Sequence, residues 1–189
     1  SARSAGRTLH ALGRDVAVEP LVPGCFAGTD IAFFSASGGV SKEWAPQAVA
    51  AGAWAIDKSS AFRMDRRYPL AIPEVNGEVL DALQSPTIVA VPNCTTIIAL
   101  MAVTPLHREV GVARMVVSTY QSASGAGAAA MAELERQGHD WSAGRPLDTA
   151  IFGRQYLFNL FSHNSAIGED GQNEEERKLV DETRKIWGD

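Results

Sequence analysis

Ile31-Ala32-Phe33-Phe34-Ser35-Ala36-Ser37-Gly38-Gly39 is a short apolar run that ends in small polar residues and glycines. An unbroken apolar run is what a strand buried on both faces needs, and a glycine-rich turn at its carboxyl end is where a parallel sheet passes the chain to a helix. Glu43 to Ala51 supplies that helix, with Trp44, Ala48 and Ala51 at helical spacing and Gly52 as its stop. Ala53 to Asp57 is a second short strand, and its polar exit loop carries Ser59, Ser60 and Arg63. Thr87 to Val91, closed by Pro92, is a third. Strand, helix and strand at this spacing predict an α/β chain with a doubly wound sheet and ligands at the carboxyl ends of its strands. Ser35 to Gly39 is then a candidate phosphate or nucleotide loop, with a plain turn as the alternative.

Beyond Pro92-Asn93-Cys94, Thr95 to Glu109 reads as a helix whose apolar residues Ile97, Ile98, Met101 and Leu106 suggest deep burial. Pro105 is expected to kink it or end it early. Arg114 to Tyr120 is rich in β-branched residues and reads as a strand, followed by Gln121 to Gly127 and an alanine-rich helix to about Gln137. His139 to Ser165 has no clear period and many turn formers, so an extended excursion is expected. Asn173 to Trp187 is a helix with Asn173 as N-cap, acids in its first turn and Arg184 and Lys185 late.

The chain has 189 residues, 46% hydrophobic and 21% charged, enough to bury a substantial core, which excludes a disordered tail. Its 17 basic and 22 acidic residues give a net charge of −5 with no lysine or arginine block, so no footprint for nucleic acid or a membrane surface is present. The two cysteines, Cys25 and Cys94, form neither a metal-type pair nor a disulfide framework, and the expectation is a reducing, cytoplasmic setting. No apolar run reaches bilayer length. The sequence opens without methionine and stops directly after a helical pattern, as expected of a piece of a longer chain.

Cys94 is the most informative residue. It follows a strand and starts a helix, where the dipole and free backbone N–H groups favour a thiolate nucleophile; a buried structural cysteine is the alternative. Gly125-Ala126-Gly127-Ala128-Ala129-Ala130 matches G-x-G-x-x-A between a predicted strand and a helix, although polar residues intervene before the glycines. Arg63 on its loop and Lys178 on the last helix are each ordinary surface charges when taken singly, and Glu175 with Lys178 is an ordinary i, i+3 pair. Beside a thiolate, the two cations would hold an anionic substrate. His10, His107, His139 and His163 are scattered, with no metal-ligand spacing.

Around Pro92-Asn93-Cys94-Thr95-Thr96-Ile97 the sequence resembles the aspartate-semialdehyde dehydrogenases. Further blocks occur in order on both sides: Ser1-Ala2-Arg3-Ser4-Ala5-Gly6, Ser59-Ser60-Ala61-Phe62-Arg63, Pro73-Glu74-Val75-Asn76, Val117 to Gln121 with Ser124 to Gly127, and Glu175 to Lys178 with Glu182 to Ile186. The resemblance implies a partial Rossmann-type NADP domain over residues 1–91, then part of an α+β catalytic and dimerisation domain over residues 92–189. It implies NADP-dependent interconversion of aspartyl phosphate and aspartate semialdehyde with phosphate, through a thioester on Cys94. Gln121 would orient the substrate, Arg63 and Lys178 would bind phosphate beside Asn93, and Glu175 would contact the substrate amino group. Ser1, Arg3 and Ser4 would grip the cofactor's 2'-phosphate, Ser35 and Gly38 would line the cofactor loop, and Ser124 and Gly125 would lie at the nicotinamide end. The Gly-x-Gly-x-x-Ala match then belongs to the catalytic part.

The family's N-terminal glycine-rich turn, its catalytic histidine and its substrate-carboxylate arginine have no counterparts in these residues. The resemblance therefore implies an internal fragment that is inactive by itself, from an enzyme that is a homodimer or homotetramer. The rival readings are N-acetyl-γ-glutamyl-phosphate reductase, whose cysteine motif carries glycine and proline, and a catalytically inactive scaffold paralogue.

Overall fold

The computed structural model describes residues 4–162 and 165–188, so Ser1, Arg3 and His163 lie outside the described residues. The chain forms two compact units, Ser1–Ile97 with Glu182–Asp189, and Ile98–Asp181.

The first unit opens with an antiparallel hairpin of β1 (Thr8–Ala11) and β2 (Arg14–Ala17), paired Thr8 to Ala17 through Ala11 to Arg14. Leu12 and Gly13 both take positive φ at its tip, the left-handed pair that matches the twist of a two-residue hairpin. All eight strand residues are exposed, so no buried face patterns them.

A parallel sheet follows, from β3 (Ile31–Phe34), α1 (Gly38–Ala50), β4 (Trp54–Asp57), the single turns α2 (Pro73–Asn76) and α3 (Glu78–Asp81), and β5 (Ile88–Ala90). The strand order is β3-β4-β5, with Ile31 opposite Trp54 and Ala55 opposite Ile88. α1 starts well before the expected Glu43. Ser37 caps it by accepting the Val40 N–H, so the two glycines read as a turn form the first helical turn. Small residues let the layers approach: Ala45 and Ala48 of α1 and Ala55 and Ala90 of the sheet are all fully buried. Asn76 accepts the Ile72 N–H and donates to the Leu70 carbonyl, fixing the segment that pairs with Ala90.

α4 (Cys94–Val110) begins in the first unit and continues in the second. Pro105 lies inside it without ending it; the proline is exposed, and the helix runs on until Gly111 takes a positive φ. The expected deep burial of its apolar residues is not found. Its buried stripe is Thr96, Leu100 and Thr104 at i, i+4 spacing, whereas Ile98 is 72% and Leu106 60% exposed. Spacing alone identified an apolar face, and that face has no cover among the described residues.

In the second unit, Arg114 to Tyr120 is not a strand. It joins no ladder among the described residues, and Val116 and Tyr120 are largely exposed, because β-branched content makes a strand only where a partner edge exists. A 3-10 turn, Ala123–Ala126, leads to α5 (Ala128–Ser142), which continues past the expected end at Gln137. The inner face of α5 carries Ala130, Glu133 and Gln137. The buried Glu133 carboxylate accepts the N–H groups of Ile151 and Phe152, while Gln137 accepts from Tyr156 and Leu157 and donates to the Asp148 carbonyl. Two polar side chains thus fold the irregular excursion onto the helix, where Phe152 stacks on Tyr156 at 4.4 Å. The last element is α6 (Glu174–Trp187).

Candidate active site

Cys94 is the first residue of α4 and is exposed. Asn93 builds the turn that presents it. The Asn93 carbonyl accepts the Ile97 N–H at 2.9 Å, and its Oδ1 accepts from Thr95 N at 2.9 Å and Thr95 Oγ1 at 2.6 Å. Cys94 Sγ lies 3.8 Å from the same Oδ1. The side chain that caps the helix therefore also borders the sulfur, and the remaining N–H groups of the first turn provide a positive potential for charge on it.

Arg63 is 8% exposed and spans the carboxyl ends of two strands. Its Nε donates to the Val91 carbonyl after β5 at 2.9 Å, and its Nη2 to the Lys58 carbonyl after β4 at 2.9 Å. Nη1 pairs with Glu182 Oε1 at 3.0 Å. The loop carrying Arg63 is shaped by buried Asp57, which accepts the N–H and hydroxyl of Ser59, whose oxygen in turn accepts the Ala61 N–H. Glu182 Oε2 accepts the Asn93 N–H at 2.6 Å, so Arg63, Asn93 and Cys94 belong to one connected group.

Below this group, Lys185 Nζ donates to the carbonyls of Arg63 at 2.6 Å, Asp65 at 2.7 Å and Tyr68 at 3.0 Å. Burial pulls its pKa below the ordinary lysine value, partly opposed by the Asp65 charge. Asp65 itself is lowered to about 2, chiefly by its hydrogen bonds from Arg67. Ser35 follows β3, and Gly38 sits in the first turn of α1, at the carboxyl end of the same sheet. Ser4 is half-buried near the start of the chain.

The second unit holds the remaining residues in two groups. Gln121 offers its carbonyl to the Tyr156 hydroxyl at 3.2 Å, and its side chain fills the space a Cβ at Gly125 would occupy, 2.6 Å from that position. Only glycine at 125 lets Gln121 lie there. Ser124 shares a 2.7 Å hydrogen bond with Ser122. Glu175 and Lys178 lie on the first turns of α6, beyond a capping box in which Asn173 Oδ1 accepts the Glu176 N–H and Glu176 accepts the Asn173 N–H. Lys178 Nζ contacts Glu175 at 2.6 Å and Glu174 at 2.8 Å. Burial lowers its pKa, but the bonds it donates to the two carboxylates outweigh this and hold it above the ordinary lysine value, so the ammonium is charged throughout the neutral range.

Glu182, Lys185 and Asp57 were not foreseen. Glu182 and Lys185 share a face of α6 with Ile186, a spacing visible in the sequence but indistinguishable there from an ordinary charged helix.

Residues 1–83 match the family model described as semialdehyde dehydrogenase, NAD binding domain, and residues 103–189 the model described as semialdehyde dehydrogenase, dimerisation domain. The aspartate-semialdehyde dehydrogenase of Synechocystis sp. is 46% identical over 99% of this chain and 55% of its own length. The chain belongs to the semialdehyde dehydrogenases. The aspartate-semialdehyde dehydrogenase of Aquifex aeolicus is 44% identical over all of the chain and 56% of its own length. Two crystal structures of aspartate semialdehyde dehydrogenase II from Vibrio cholerae, one complexed with ASA, superpose on the whole chain with TM-scores of 0.94 at 41% and 40% identity, covering 56% of each. The chain thus spans about half the length of the aspartate-semialdehyde dehydrogenases it matches. That likeness bears out the α/β architecture with a nucleotide-binding and a dimerisation part.

Proposed function

We propose that this chain is the nucleotide-binding and catalytic portion of an NADP-dependent aspartate-semialdehyde dehydrogenase, interconverting aspartate semialdehyde plus phosphate and aspartyl phosphate. The nucleotide part runs to about Val91 and the catalytic part from Pro92. The carrying observation is the group at the strand ends: an exposed cysteine on a helix N-terminus, tied through Asn93 and Glu182 to a buried arginine.

Cys94 is the nucleophile. Its sulfur adds to the aldehyde carbon in one direction and to the acyl phosphate in the other, expelling phosphate and leaving a thioester. Arg63 uses three of its N–H groups on Val91, Lys58 and Glu182, which leaves two of an arginine's five to meet phosphate oxygens. Lys178 supplies a second cation, Glu175 a carboxylate for the substrate ammonium, and Gln121 an amide that orients the acyl group. A nicotinamide cofactor held beside Cys94 would supply the hydride acceptor in one direction and the hydride donor in the other. The glycines after β3 fit such a group, since Gly38 and Gly39 give the first turn of α1 no side chains of their own. Ser1, Arg3 and Ser4 select NADP by meeting its 2'-phosphate, and Ser35, Gly38, Ser124 and Gly125 line the cofactor. The names of the relatives favour this activity over N-acetyl-γ-glutamyl-phosphate reductase. The enzyme is cytoplasmic and assembles as a homodimer or homotetramer; no helix among the described residues is long and apolar enough to cross a membrane.

In protein extended to the length of the relatives, phosphate-dependent reduction of NADP by aspartate semialdehyde is expected. Cys94→Ala should abolish it while sparing NADP binding by calorimetry; turnover above a hundredth of the unsubstituted rate excludes Cys94 as nucleophile. Arg3→Ala should raise KM for NADP at least tenfold and leave NAD unchanged, and an equal loss for both cofactors refutes the 2'-phosphate assignment.

A further inference from the structure

We infer that Glu182 is the positioning residue of the phosphate and thiol site. The inference rests on the reaction proposed above for the roles of Arg63 and Cys94, but the geometry stands apart from it. Glu182 is 1% exposed, and its two carboxylate oxygens are divided between two targets: Oε1 takes Arg63 Nη1 and Oε2 takes the Asn93 N–H. One rigid group thereby sets both the guanidinium that receives phosphate and the turn that carries the nucleophile.

The chemistry explains why a carboxylate is needed. A buried guanidinium without a counter-charge is strongly unfavourable, and two carbonyls supply dipoles but no charge. Glu182 supplies that counter-charge through one N–H of Nη1, so Arg63 keeps one further N–H on each terminal nitrogen for an anion. The second oxygen matters separately. The Asn93 N–H precedes the first turn of α4, and Glu182 supplies its acceptor. A glutamine has one oxygen, so it can serve Arg63 or Asn93 but not both, and it brings an N–H₂ group against whichever it fails to serve. Aspartate keeps the charge and both oxygens on a shorter arm. Lys185, one helical turn on, holds the carbonyls of Arg63, Asp65 and Tyr68, so the helix grips the Arg63 loop at its backbone as well as at its side chain.

The test uses protein extended to the length of the relatives, with inorganic phosphate as the varied reactant. Glu182→Gln is expected to raise KM for phosphate at least tenfold while KM for aspartate semialdehyde changes less than threefold. Amide hydrogen exchange over residues 93–96 should accelerate at least tenfold in the same variant. Glu182→Asp should recover part of the phosphate KM. A folded Glu182→Gln protein with both KM values and the exchange rates within twofold of the unsubstituted enzyme overturns the inference. So does a uniform fall in kcat with both KM values unchanged, the mark of a merely structural residue. Should Glu182→Gln not fold, Glu182→Asp decides: a raised phosphate KM supports the inference and an unchanged one overturns it. If the unsubstituted protein shows no phosphate-dependent turnover, the proposed reaction fails, and the hydrogen exchange alone then decides whether Glu182 holds the Asn93–Cys94 turn.

Discussion

Asn93 shows how much can depend on one short side chain. Its Oδ1 accepts from the backbone and hydroxyl of Thr95 and borders Cys94, while its own N–H is held by Glu182. Replacing Asn93 with alanine removes the cap and should destabilise the protein by about 1 kcal/mol, read from the denaturant midpoint. The same substitution should lower kcat at least tenfold, because the turn presenting the sulfur loses its internal bond; unchanged kcat would separate the cap from the chemistry. At this scale the sequence was informative where the signal is local. Cys94 after a strand and before a helix, and Arg63 on the loop after a strand, are visible from neighbours alone. Glu182 was not, because its partners lie 89 and 119 positions away in the chain and only the folded α6 brings them together.

The elements read from the sequence are those whose own residues carry both the period and the stop. β3, β4 and β5 have short apolar runs with polar ends, and α6 has a capping asparagine and a charge gradient. The strand expected at Arg114 to Tyr120 failed because a strand is a relation between two segments, and β-branched residues specify only one of them. The hairpin of β1 and β2 went unseen because exposed strands have no apolar alternation to betray them. α5 illustrates a third case, a helix whose inward face carries a glutamate and a glutamine rather than leucines. Those two side chains organise the 148–157 segment, whose irregularity the composition did show. Glu133→Ala would leave the N–H of buried Phe152, and the part-buried one of Ile151, without their acceptor, and should cost about 2 kcal/mol, at roughly 1–3 kcal/mol for a buried group. Faster hydrogen exchange at Ile151 and Phe152, with protection in β3 to β5 retained, is the expected pattern; uniform loss of protection would indicate global unfolding instead.

On the scale of the whole molecule, the chain spans 55% of the Synechocystis relative. The reaction proposed above also needs a general base and a group for the substrate carboxylate, and none of the residues assigned to it here fills either role. A protein of these 189 residues alone is therefore expected to show no NADP-dependent turnover of aspartate semialdehyde, while extension to the length of the relatives restores it. Turnover by the 189-residue protein at a tenth or more of the extended protein's rate would mean that the acid–base group lies within it. The charge of the whole is instructive too. A net −5 excludes bulk affinity for polyanions, and the two cations proposed for phosphate, Arg63 and Lys178, are each held in place by carboxylates.

The three carbonyls around Lys185 hold its ammonium much as rings of backbone carbonyls hold a potassium ion in a selectivity filter. Here the cation is tethered to α6 and cannot be diluted, exchanged or chelated away. The shape of the loop from Arg63 to Tyr68 is therefore tied to the helix that carries its cation.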